Sequence, residues 1–300
     1  MNNQKKSYFF AGLTILFWST SATAFKIGLK HTNYVHLLFY SILTAVVVLF
    51  LIVLWQGKFN HLKNYTRKEY LHSAFVGFLN PFLYYTVLFK AYSLLPAQVA
   101  QPLNFVWPIT LVLLSIPILK KPITGKSLIA MLISFAGVFF ISSQGNILSL
   151  NFSSPLGIFL ALASSIVWAL FWILNMKDQR DEVVKLFLNF CFAFIFISIY
   201  TLITYPDFSQ NGIALLSSVY IGVFEMGITF VLWLMALQMS GRTERIGTLI
   251  YLTPFCSLLF IHFILKEKIH FATLIGLVLI VTGIIIQNQR KKSQLYETQI

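Results

Sequence analysis

Ten stretches of about twenty apolar residues follow one another along this chain, at roughly 8–27, 36–55, 70–92, 97–119, 126–143, 155–175, 183–204, 213–237, 246–265 and 271–288. Each is too long for a strand and long enough to cross a bilayer as an α-helix. The breaks are short, the longest being 56–69 and 144–154, so no soluble domain fits between them. Of the 300 residues, 58% are hydrophobic and 10% charged, against about 25% charged in a soluble domain. Such a chain cannot cover its surface in water, and lipid is its natural solvent. In lipid every backbone N–H and C=O must be satisfied within the segment, which selects helices. The expected fold is an all-α membrane protein with ten transmembrane helices.

The net charge of +13 could suggest nucleic acid, but the cations sit in short clusters between apolar runs and form no basic stripe. Topology explains them better. With the N-terminus in the cytoplasm, Lys30, Lys266 and Lys268 fall outside, Lys26 and Lys90 lie within helices, and the other 17 of the 22 Lys and Arg fall inside. Short loops obey this positive-inside bias, so both termini are expected in the cytoplasm and the number of crossings is even. MNNQKKSYFF shows no small-residue cleavage site and reads as a retained first helix. Cys191 and Cys256 lie in apolar runs with no CxxC or His/Cys cluster, so neither metal nor cofactor is expected.

The two halves, 1–145 and 146–300, match each other. At an offset of 146, Pro108 meets Pro254, Lys120 meets Lys266, Lys121 meets Glu267 and Gly137 meets Gly283. Dropping one residue upstream brings Ala91 to Ala236 and Asn80 to Glu225. Trp18-Ser19 also resembles Trp168-Ala169. Five helices per half is an odd number, so the second half enters upside down, as in alternating-access transporters with a site near the bilayer midplane.

The segments FWSTSATAFK, LNFVWPITLVLLSIPILKKPI and LIYLTPFCSLLFIHFILKEKI give the chain a resemblance to the drug/metabolite transporter superfamily, EamA type, across essentially its whole length. Asn104-Phe105-Val106-Trp107-Pro108 is most similar to the branch of bacterial aromatic amino-acid exporters. The resemblance implies ten helices in two inverted five-helix repeats, a central cavity and no ATP-hydrolysing part. The chain departs from the pattern at Lys120-Lys121, where the family often has an acid; Glu267 keeps it in the second half.

Eight of the nine acidic residues lie in loops, tails or helix ends; Glu225 alone sits mid-helix. A charge there costs several kcal/mol and marks a functional site by default. It can carry a proton or act as counter-ion to a substrate amine. Thr229 and Trp233 follow at i+4 and i+8 on one stripe. Asn80 and Tyr84 form the equivalent stripe in the first half, beside Pro81 and Tyr85. Gln101, Asn104 and Trp107 lie between Pro102 and Pro108, with Tyr251 the counterpart of Phe105. Ser164, Trp168, Trp172 and Asn175 recur at about one turn. Trp18, Ser19, Ser21, Ala22 and Thr23 suit close packing or a cavity wall. The expected substrate-binding residues are Glu225, Asn80, Tyr84, Trp18, Asn104, Trp107, Trp168 and Tyr251, with Lys26 as a site for a substrate carboxylate. The competing readings are packing and interhelical hydrogen bonds for the polar and aromatic groups, and snorkelling for Lys26.

The function that follows is secondary transport, with export of small metabolites such as amino acids or related amines across a bacterial inner membrane. The expected partners are a small-molecule substrate, the lipid bilayer and protons. No P-loop is present, so ATP is not the direct energy source. The alternatives are an uncoupled facilitator or channel, and an uptake carrier for a nucleotide-related metabolite such as S-adenosylmethionine. An enzyme would need paired acids, a HExxH helix or a Ser/His/Asp set at membrane depth, and the sequence has none.

Overall fold

The computed structural model describes residues 3–119, 125–143, 154–240, 246 and 249–288. The described residues form helices and turns, with no strand among them. In chain order the helices are α1 (Asn3–Leu29), α2 (Tyr34–Trp55), α3 (Arg67–Leu94), α4 (Ala97–Asn104), α5 (Trp107–Leu119), α6 (Gly125–Ser142), α7 (Pro155–Lys177), α8 (Glu182–Thr204), α9 (Gly212–Gln238), α10 (Thr253–Leu265) and α11 (Phe271–Asn288). Six of the described helices are long and apolar enough to span a bilayer, and shorter apolar helices cover Leu128–Ser142, Ile250–Leu265 and Phe271–Ile286.

Short polar side chains start the helices where the apolar runs begin. Asn33 accepts from the N–H groups of Val35 and His36, Asp181 from Val183 and Val184, and Asn211 from Ala214. Thr66 and Glu69 form a reciprocal capping box at the head of α3. The single helix expected over 97–119 is instead two, α4 and α5, separated by a turn at Phe105-Val106. Pro108 has no N–H for the Asn104 carbonyl, and its ring crowds that carbonyl, so the ladder breaks there.

The two helices expected over 70–92 and 213–237 each contain a π turn, at Phe78–Leu83 in α3 and Ile221–Gly227 in α9. Pro81 withdraws one donor from the first, and Asn80 leaves the helical region altogether, with φ −146° and ψ 122°. A glycine precedes or enters each turn, and each meets the other half's backbone. A Cβ on Gly77 would overlap the Asn189 carbonyl of α8, and one on Gly222 would overlap the Ser41 carbonyl of α2. Close approach of this kind is how helices pack in lipid, where apolar burial alone provides no drive. α3 thus meets α8, and α9 meets α2, backbone to backbone.

At the face that carries the start of α1, the 56–66 connection meets the α7–α8 corner through charge. Lys58 pairs with Asp181 at 2.7 Å, and Arg180 pairs with Asp178 at 2.6 Å. The Arg180 guanidinium also donates to the Glu69 carbonyl at 3.0 Å and lies 5.1 Å from the Tyr65 ring centre. Partial burial pushes the Asp178 carboxyl up, but the Arg180 hydrogen bonds and charge outweigh it, and the net direction is downward. Asp181 behaves alike, with Lys58 and the N–H groups of Val183 and Val184 together outweighing burial. Carboxylates depressed in the folded state stabilise it above their ordinary range, and that contribution is lost as pH falls through the folded value. This corner therefore holds from neutral pH down to the ordinary carboxylate range near ~4 and loosens below it. Arg180→Ala should cost about 2 kcal/mol, read as a lower thermal midpoint in detergent that Arg180→Lys, lacking the bidentate fork, restores only in part.

Candidate functional site

Glu225 sits inside the π turn of α9 and is buried, with 8% of its surface accessible. Two side chains donate to its carboxyl: Ser21 of α1 to Oε2 at 2.5 Å and Tyr85 of α3 to Oε1 at 2.9 Å. The Trp18 indole N–H donates to the Glu225 backbone carbonyl at 3.3 Å. Glu225, which belongs to α9, is therefore held by α1 and α3.

A network of aromatic rings extends from these partners. The Tyr84 and Trp168 centroids are 4.7 Å apart, and Trp107 stands edge-on to Trp168 at 6.5 Å. Trp18 and Trp168, the pair that resemble each other in sequence, both pack against Phe230 at 5.8 Å. Trp18 also meets Trp233 at 6.0 Å. A polar chain continues behind Tyr84, whose hydroxyl donates to Asn104 Oδ1 at 3.2 Å, while the Asn104 amide donates to Ser164 at 2.8 Å. Phe105 and Tyr251 meet edge-to-face at 6.4 Å.

Of the residues expected from sequence, Glu225, Trp18, Tyr84, Asn104, Trp107 and Trp168 fall into one connected set. Asn80 lies four residues before Tyr84, 1% exposed, and neither its Oδ1 nor its Nδ2 has a hydrogen-bond partner among the described residues. Gln101 Oε1 and Trp172 Nε1 are buried and unpartnered as well. Tyr251 borders the set through Phe105. Lys26 is not brought to it. Its ammonium donates to the carbonyls of Tyr92 and Leu95 at 2.8 and 2.9 Å, closing the C-terminal end of α3. It lies five residues beyond Ser21, about 7.5 Å along α1.

The direct partners of Glu225 were only partly visible in sequence. Ser21 stood in the run of hydroxyl residues, whereas Tyr85 was only the neighbour of Tyr84. The π turn explains the change. Its wider pitch shifts the register that a regular helix would give, and Thr229, expected on the Glu225 stripe, instead donates to the Phe224 carbonyl.

Six of the described helices, long and apolar enough to cross a membrane, together with a buried, hydrogen-bonded acid, define a multi-pass membrane protein. The model of the EamA-like transporter family matches residues 5–143 and again 155–289, and the chain belongs to that family. It is 26% identical over 285 residues to an uncharacterized transporter of Archaeoglobus fulgidus, covering 93% of this chain and 96% of that one. It is 26% identical to the uncharacterized transporter YvbV of Bacillus subtilis, covering 93% and 90%. A solved structure of 20% sequence identity superposes with a TM-score of 0.67, covering 94% of this chain and 96% of its own, and so shares the fold.

Proposed function

We propose that this protein is a secondary transporter that exports amino acids or related amines, with Glu225 binding substrate amine and proton in turn. The hydrogen-bonded carboxyl of Glu225 at the meeting of the two halves carries this reading. An acid so placed accepts either a proton or an ammonium group, and competition between the two couples a proton gradient to substrate movement. The rings of Trp18, Tyr84, Trp107 and Trp168 suit a flat or amphipathic substrate body, in keeping with the aromatic amino-acid exporter branch that the 104–108 segment resembles. Asn80, Gln101 and Trp172 supply buried polar groups that a substrate would satisfy, each costing about 1–3 kcal/mol while unmet.

The architecture that goes with this function is ten membrane segments in two inverted five-helix repeats, 1–145 and 146–300, with both termini in the cytoplasm of a cell whose inner membrane holds the protein. The two successive family matches, the π turns at equivalent places and the exchanged glycine contacts support it. Pairs α4–α5 and 246–265 then serve as the fourth spans of their halves.

Efflux of labelled amino acids and amines from proteoliposomes, with and without an imposed pH gradient, tests the coupling. An inward proton gradient of one pH unit is expected to drive substrate out against a concentration ratio of up to about tenfold at one proton per substrate. Flux that ignores the gradient would leave an uncoupled facilitator as the function.

A further inference from the structure

The short helix α4 is held at both ends by the other half of the protein. At its N-terminus no side chain of its own segment caps it. Glu267, from the α10–α11 connection, takes that place, accepting from the N–H of Ala97 at 3.1 Å and of Gln98 at 3.3 Å. Gln98 answers by donating to the Lys268 carbonyl at 2.8 Å and accepting from the His270 N–H at 2.9 Å and the Thr273 hydroxyl at 3.3 Å. At its C-terminus Asn104 bonds Tyr84 and Ser164 beside Glu225. The helix has eight residues, about 12 Å, and the turn at Phe105-Val106 separates it from α5.

A rigid rod latched at one end, bonded to the site at the other and jointed beyond its tip is a lever. A cavity of about 630 Å³ opens directly at the latched end, lined by Lys26, Leu95, Gln98, Glu267 and Lys268. The position equivalent to Glu267 in the first half is Lys121, and an ammonium cannot accept from backbone N–H groups. Lys121 therefore has no group for a latch of this kind.

We propose that α4 is a gate helix, that Glu267 is the latch holding it shut, and that Asn104 passes its movement to the substrate site. This rests on the reading of the Glu225 surroundings as that site, but access can be measured without any substrate. Glu267 acts through α4 and is a positioning residue.

The test uses full-length protein with Cys191 and Cys256 replaced by alanine and Thr23→Cys as the reporter, a buried position on α1 between Ser21 and Lys26 whose hydroxyl bonds none of the described residues. The probe is a charged methanethiosulfonate applied from the latch face of oriented vesicles. Labelling is expected to be slow with Glu267 present and about tenfold faster in Glu267→Ala, which strands two backbone donors. Glu267→Gln, which keeps one acceptor oxygen, should fall between. Hydrogen exchange on the same samples should rise at 95–104 and stay unchanged in α6 and α11. Equal labelling in all three proteins overturns the latch, as does a rise in exchange that spreads to α6 and α11, because Glu267 would then merely hold the fold together. Flux retained in Glu225→Gln with this labelling pattern intact is failure of the site alone, whereas flux lost in Glu225→Gln with equal labelling is failure of the gate alone.

Discussion

Glu225→Gln is expected to lower gradient-driven efflux by about 100-fold while changing stability by less than about 1 kcal/mol. Glutamine has nearly the volume of glutamate and keeps a carbonyl oxygen for the Tyr85 hydroxyl. The Ser21 hydroxyl, which now donates to the carboxyl, can turn to accept from the new amide instead. The enclosure therefore persists, but the group no longer binds a proton or balances an ammonium charge. Tyr85→Phe removes one of the two side-chain donors and should produce a smaller loss, about tenfold. The checking measurement is efflux at matched protein density, alongside the thermal midpoint. Unchanged efflux in Glu225→Gln would mean that the buried acid serves packing.

The largest effect on stability is expected from Gly283→Leu. Where α11 crosses α6, a Cβ on Gly283 would come within 2.5 Å of the Ala130 carbonyl and would overlap the Ser134 side chain. One turn and more along, a Cβ on Gly137 would come within 2.5 Å of the Gly276 carbonyl and one on Gly276 within 2.6 Å of the Gly137 carbonyl. Backbone cannot rotate out of the way as a side chain can, so the helices must separate. The expected cost is about 3 kcal/mol or more, seen as a much lower thermal midpoint and loss of monodisperse protein. Gly12→Leu is the control, since nothing lies within 4 Å of a Cβ there. A normal midpoint for Gly283→Leu would show that the crossing is loose.

The helices were legible because lipid leaves the backbone no alternative, so hydropathy translates almost directly into helix bounds. The Phe105-Val106 break was not, because a proline inside an apolar run can kink a helix or end it, and the outcome depends on what packs around it. The π turns were hidden for the same reason: Gly77 and Gly222 signal close approach, but only the opposing carbonyls of Asn189 and Ser41 show what is approached. Glu225 stood out because an acid at membrane depth is costly. Its partners depended on the π-turn register, which brought Tyr85 to the carboxyl and sent Tyr84 to Asn104. Lys26 reads from sequence as a cation near a helix end, and only the position of the Tyr92 and Leu95 carbonyls shows what its ammonium meets. Glu267, noticed only as a point where the halves differ, acquires a partner once α4 is seen to begin at Ala97.

The most direct test is to screen amino acids and amines for thermal stabilisation of the purified protein, then to repeat the best ligand with Glu225→Gln across a range of pH. An ammonium that pairs with the carboxylate of Glu225 should stabilise the unaltered protein, less so as acid protonates that carboxylate, and should stabilise the glutamine variant weakly at every pH. If the variant matched the unaltered protein throughout, Glu225 would not be the group that receives the substrate.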